Sequence, residues 1–118
     1  VKIVNVKGMH PDSGIVYCGR EWAGWPSSVW GNPYREGRDG SRTEIIEKFR
    51  VYLQKMLAGK SPAARNMQEE LADLTERSVL GCWCTPLRCH CEVIAEEWEK
   101  RYSLDAEWEK RYGNGGAR

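Results

Sequence analysis

The chain has 118 residues, enough for one domain around a single modest core and too few for several. Its 18 basic and 17 acidic residues nearly cancel, so no bulk field draws it to nucleic acid or to an anionic membrane surface. It has no run of about 20 apolar residues, and Val1–Val6 is too short for a signal-peptide core. Its five cysteines, an odd number with four crowded together, argue against an extracellular disulfide framework and for a cytoplasmic protein.

Val1–Val6 is rich in β-branched residues and is closed by Gly8 and Pro11, which predicts a strand. Gly14–Cys18 has the same character, and the intervening Gly, Pro, Asp and Ser suggest that the two strands form a hairpin. From Gly19 to Gly40 the pattern dissolves into a long ordered loop punctuated by Trp22, Trp25, Trp30 and Tyr34. Ser41-Arg42-Thr43-Glu44 is a capping box and opens a helix that ends at Gly59, with Ile45, Phe49, Tyr52, Leu53 and Met56 as its apolar face.

Ser61-Pro62 starts a second helix, because proline at the first helical position gives up only an N–H that would be unpaired anyway. Met67, Leu71 and Leu74 form its apolar stripe and it runs to about Thr75. Val79–Cys84 reads as a buried strand, Pro86 as the turn after it, and a third helix is expected from near Cys89 with Val93, Ile94, Trp98 and Tyr102 inward. Glu97–Tyr102 recurs as Glu107–Tyr112, an expected exposed helical extension over 99–112, before a glycine-rich disordered tail at 113–118. The fold class is α/β, one small domain over 1–112 with a short three- or four-stranded sheet and about three helices.

The chemistry concentrates in Cys82-Trp83-Cys84-Thr85-Pro86-Leu87-Arg88-Cys89-His90-Cys91. Residues two apart on a strand share a face, which pairs Cys82 with Cys84, and a tight turn can return Cys89 and His90 toward them. Three sulfurs and one nitrogen suit tetrahedral zinc, although zinc ribbons and fingers use two separated ligand pairs. Two other readings stand beside this one. The cysteines can be small buried hydrophobes, or Cys89 at a helix N-terminus can be a thiolate nucleophile with His90 as its base. Cys82 and Arg88 also match the bare Cys-x5-Arg spacing of cysteine phosphatases, but Pro86 removes a phosphate-binding N–H and Trp83 and Leu87 are bulky.

The aromatic loop can stack a planar ligand, with Arg20, Arg35 and Arg38 available for phosphate, while at least half of the six tryptophans are expected in the core. Within it, Trp30-Gly31-Asn32-Pro33 combines a close-approach glycine with an amide that both donates and accepts.

Tyr17-Cys18-Gly19-Arg20, Trp30-Gly31-Asn32-Pro33-Tyr34, the Phe49–Leu53 helix and Leu80–Pro86 with Cys89-His90 together resemble, in order, the domain of unknown function 4326 family. The resemblance covers about residues 1 to 98. It implies a compact α/β domain, an intracellular location and a bacterial or bacteriophage setting, and it carries no activity. This chain departs from the pattern by a Trp-containing insert between Arg20 and Trp30, by Cys91 and by the repeated tail.

The function expected from these residues is binding, with or without processing, of a nucleotide-like or other anionic small molecule. Arg20, Trp30 and Asn32 would shape the pocket, Cys82, Cys84, Cys89 and His90 would hold zinc, and Cys89 and His90 would act if thiol chemistry occurs. The alternative is a non-enzymatic, zinc- or thiol-stabilised module that inhibits or adapts a host protein. The two differ in whether the tryptophan loop and the cysteine segment share one pocket.

Overall fold

The computed structural model describes residues 1–84 and 87–102, and the repeat Glu107–Tyr112, the rest of the 99–112 extension beyond Tyr102 and the 113–118 tail lie outside them. The elements run β1 (Lys2–Asn5), β2 (Val16–Tyr17), α1 (Arg42–Ala58), α2 (Pro62–Asp73), β3 (Val79–Cys82) and α3 (Cys91–Tyr102). This is the small α/β domain expected, with a three-stranded sheet and three helices. Among the described residues, no helix is long and apolar enough to cross a membrane.

The hairpin does not form. The sheet order is β1-β3-β2, and β3 pairs in parallel with both neighbours, Ile3 opposite Leu80 and Tyr17 opposite Gly81. The centre goes to β3, whose Leu80, Gly81 and Cys82 are buried, because a central parallel strand is covered on both faces. The 7–15 segment must therefore cross the sheet to deliver β2 to the far side. Gly81 makes room for that crossing: a Cβ there would overlap Val6 Cγ1 and lie 2.6 Å from Ile15 Cγ2.

Leu80 and Cys82 face the main core, built with α1, α2 and α3. The opposite face is covered by Val6, Tyr17 and Trp25, with Ile15 and Trp83 against them. The helices start where their caps direct. Ser41 Oγ accepts from the Glu44 N–H at 3.2 Å, and Glu44 Oε1 accepts from the Ser41 N–H at 3.0 Å. Ser61 Oγ likewise accepts from the Ala64 N–H at 3.1 Å.

The buried stripe of α1 is Ile46, Phe49, Leu53 and Leu57, one step round from the face expected with Ile45, Tyr52 and Met56, which lie at its edge. Trp98 enters the core and donates from Nε1 to the Leu74 carbonyl at 3.1 Å, joining α3 to the end of α2. Glu97 is buried beside it and forms an i,i+4 pair with Arg101 Nε at 3.4 Å, whereas Tyr102, expected inward, is exposed in the last turn of α3.

Candidate functional site

The site forms where β2 and β3 end. Open parallel sheets place ligands at the carboxyl ends of their strands, where the chain turns away into loops and helix N-termini. Here a cavity of about 560 Å³ is lined by Tyr17 and Arg20 after β2, Cys82, Trp83 and Cys84 at the end of β3, Asn32 and Tyr34 of the long loop, and His90 before α3. The tryptophan-loop motif and the cysteine segment thus meet, although about fifty residues separate them in sequence.

The cysteine side is a sulfur cluster. The Sγ atoms of Cys82, Cys84 and Cys89 all lie within 4.8 Å of one another, a set that can hold a metal ion. Bound at about 2.3 Å from each sulfur, a tetrahedral zinc would need them about 3.8 Å apart, so the three need only close in slightly. Cys82 and Cys84 line the cavity, whereas Cys89 is buried behind them and does not.

Cys89 is the hub of this cluster. Hydrogen bonds from Cys82, then Cys84 and Cys91, depress its pKa strongly, and His90 adds to the effect. The same bonds act in reverse on the donors. The Cys84 pKa is raised, first by its bonds to Cys82 and Cys89 and then by burial, with Arg42 opposing. Cys91 is likewise raised by its bonds to Cys18, Cys82 and Cys89. Opposite shifts on touching thiols describe one coupled set, which gives up its first proton readily and holds the rest.

His90, counted among the metal ligands from the sequence, is not one of the three groups that converge. Its Nε2 lies 2.6 Å from the Cys18 carbonyl oxygen and its Nδ1 3.5 Å from Cys89 Sγ. Burial alone would lower the imidazole pKa, but the Cys89 sulfur and the Cys18 carbonyl outweigh it and raise the value. Its ring also packs edge-on against Phe49, with centroids 4.9 Å apart. The histidine therefore ties β2 to α3 and supports Cys89.

Two participants escaped the sequence reading. Continuing the β2–β3 register one step sets Cys18 beside Cys82, so the fifth cysteine joins the other four. The signal was its strand position, usable only once β2 was known to pair with β3. Arg42 was read only as part of a capping box, yet its guanidinium donates to the Arg88 carbonyl at 3.2 Å, pairs with Glu36 at 3.2 Å and lies close enough to Cys84 for that sulfur to raise its pKa. It ties the first turn of α1 to the cysteine segment.

The loop side is divided between scaffold and cavity. Trp30, expected to shape the pocket, is only 1% exposed, belongs to the main core and does not line this cavity. Its indole cannot reach a ligand there because it serves as core volume. Asn32 does line the cavity, but its amide is engaged: Nδ2 donates to the Ile45 carbonyl at 3.2 Å and Oδ1 accepts from the Tyr34 N–H at 2.9 Å.

Arg20 donates through Nη2 to the Asn32 carbonyl and to the Tyr34 carbonyl, the latter at 2.9 Å. Both bonds use one nitrogen, so the guanidinium edge carrying Nε and Nη1 is not spent on them. Burial, and then the charges of Arg35 and Arg38, lower the Arg20 pKa, with Cys84 and Asp39 opposing. Gly19 permits this arrangement, since a Cβ would overlap the Tyr17 hydroxyl, which donates to the Arg20 carbonyl at 2.5 Å. Trp83 Nε1 donates to the same hydroxyl at 2.9 Å and joins the cavity wall across the sheet.

Trp22, 66% exposed, stands at the cavity rim on a turn closed by reciprocal backbone bonds with Trp25 at 3.0 and 2.9 Å. Among the other tryptophans, Trp25 and Trp98 are buried with Trp30.

Comparisons with curated proteins and with solved structures gave no match. A family model, Domain of unknown function (DUF4326), matches residues 1–100, which include the whole cavity and all five cysteines. On that match, the chain belongs to the DUF4326 family.

Proposed function

We propose that this domain binds a nucleotide-like or other anionic small molecule in the cavity at the ends of β2 and β3, with zinc held by Cys82, Cys84 and Cys89. The observation that carries the reading is the meeting in one concave site of Arg20 and Arg35 with Cys82 and Cys84. Convergent cations, aromatic surfaces and a metal-binding set are what a small-molecule site needs and what packing alone does not. Arg20 and Arg35 would meet the anionic end, and Tyr34, Trp83 and Trp22 offer faces for a planar group.

The test is metal analysis of protein purified without chelator, followed by calorimetric titration with a panel of nucleoside mono-, di- and triphosphates. About one zinc per chain and saturable binding that Arg20→Gln weakens at least tenfold support the reading. Metal-free protein that binds none of the panel refutes it.

A second reading, an interaction module for a host or other protein partner, has the exposure of Trp22 and Leu87 in its favour, since exposed large apolar side chains are what such a surface presents. Pull-down by the intact protein that Trp22→Ser abolishes, with no small-molecule binding, would favour it.

A further inference from the structure

The three converging sulfurs leave a tetrahedral ion one ligand short, and the chain offers two candidates to supply it. His90 has its ring nitrogens at the Cys18 carbonyl and the Cys89 sulfur. Cys91 is fully buried and sits on the far side of the set, against Cys18, Cys82 and Cys89. Neither it nor Cys89 lines the cavity, whereas Cys82 and half-buried Cys84 do. Among the described residues, His90 also lines the cavity, but its ring nitrogens are engaged with the Cys18 carbonyl and the Cys89 sulfur, so the face of the sulfur triangle turned to the cavity is the one left for an outside ligand.

We infer that the metal site is open, with three cysteine sulfurs from the protein and a fourth position facing the cavity, where the anionic ligand coordinates the ion directly by displacing water. Closed sites of four protein ligands are structural, and sites of three with an exchangeable position bind or activate ligands. This inference rests on the proposed function and adds how the ligand is held.

Arginine side chains stand close enough to that position to meet an anion's charge. A divalent ion on three thiolates keeps one net negative charge, which would repel an anion in isolation. The Arg42 guanidinium, shared with Glu36 at 3.2 Å, lies beside Cys84 and offsets part of that charge. Arg20 and Arg35 line the same cavity. An anion reaching from the arginines to the ion would pair with Arg20 and Arg35 at one end and with the divalent ion at the other, past the Glu21 and Glu36 carboxylates that share the lining.

The experiment loads the full chain with Co²⁺, whose absorption reports coordination, and adds azide as a small anionic probe. Expected are three sulfurs and one lighter atom by X-ray absorption, visible bands that shift with azide, and a thiolate-to-cobalt band unchanged in Cys91→Ser. Four sulfurs, or three with bands that azide does not move, as a histidine ligand would give, overturn the open site. Both spectroscopic readouts use the unaltered protein, so a Cys91→Ser variant that fails to fold does not leave the question open. Failure to bind cobalt at all would instead refute the metal in the proposed function, a result distinct from a closed site.

Discussion

Two stretches are equally conspicuous by composition, Trp30-Gly31-Asn32-Pro33 and Cys82 to Cys91, and the fold uses them differently. The first is mostly scaffold: Trp30 fills core and both ends of the Asn32 amide are tied to backbone. The second is buried chemistry that opens on the cavity through Cys82, half-buried Cys84 and His90, with Cys89 and Cys91 behind them. A motif can thus belong to a functional site by building its wall. Damage to the two stretches should separate cleanly, one costing stability first and the other costing metal.

The largest effect is expected on the cysteine side. Cys89→Ser removes the hub that three thiols hydrogen-bond. Zinc content should fall from about one equivalent to near zero, and the melting temperature should drop to that of chelator-treated wild type, since metal binding to a folded site stabilises that fold. Thermal unfolding with and without chelator checks this. A variant that keeps its metal would show that Cys89 is not a ligand.

Next comes the loop. Trp30→Ala should cost about 3–5 kcal/mol, the usual range for truncating a buried large aromatic, while the protein that remains folded still binds zinc stoichiometrically. Trp30→Phe should cost much less, because it also removes an indole N–H that is buried without a partner among the described residues. Urea unfolding of the two variants decides. Metal loss in folded Trp30→Phe would erase the distinction drawn between the two stretches.

The helices were legible because their signals are local. Ser41 and Glu44 are three residues apart, and Ser61-Pro62 acts within one turn, so each start can be read without knowing the fold. Strand partners are not local. Val1–Val6 and Gly14–Cys18 read as strands correctly, but whether they pair with each other or with β3 depends on a strand some sixty residues later. The same limit hid Cys18 and Arg42, whose roles exist only after the sheet and α1 are assembled. Cys82, Cys84 and Cys89 were visible because they are close in sequence, whereas spacing could not say that the His90 imidazole lies between the Cys18 carbonyl and the Cys89 sulfur.

Gly81 carries the information that would have corrected the pairing, and Gly81→Ala tests it. A glycine inside an apolar strand marks a close approach by another segment. The added methyl would strike Val6 and Ile15, which are themselves packed, so overpacking of about 1–3 kcal/mol is expected by urea unfolding. A neutral result would mean that the 7–15 crossing is not pressed against β3.

The smallest effect concerns the rim, where the loop becomes functional rather than structural. Ala23 has φ of 49° and is followed by Gly24 at 88°, the left-handed pair that closes the Trp22–Trp25 turn. An alanine pays about 1–2 kcal/mol for that conformation, whereas glycine adopts it freely. Ala23→Gly relieves the strain but also gives the unfolded chain more freedom, so a net gain of only about 0.5 kcal/mol is expected in urea unfolding. Cobalt spectra should not change, because the turn touches no cysteine. Ligand binding should weaken slightly if the fixed turn is what holds Trp22 over the cavity. Unchanged affinity would place Trp22 outside the ligand's reach and restrict the loop's contribution to Arg20, Tyr34 and Arg35.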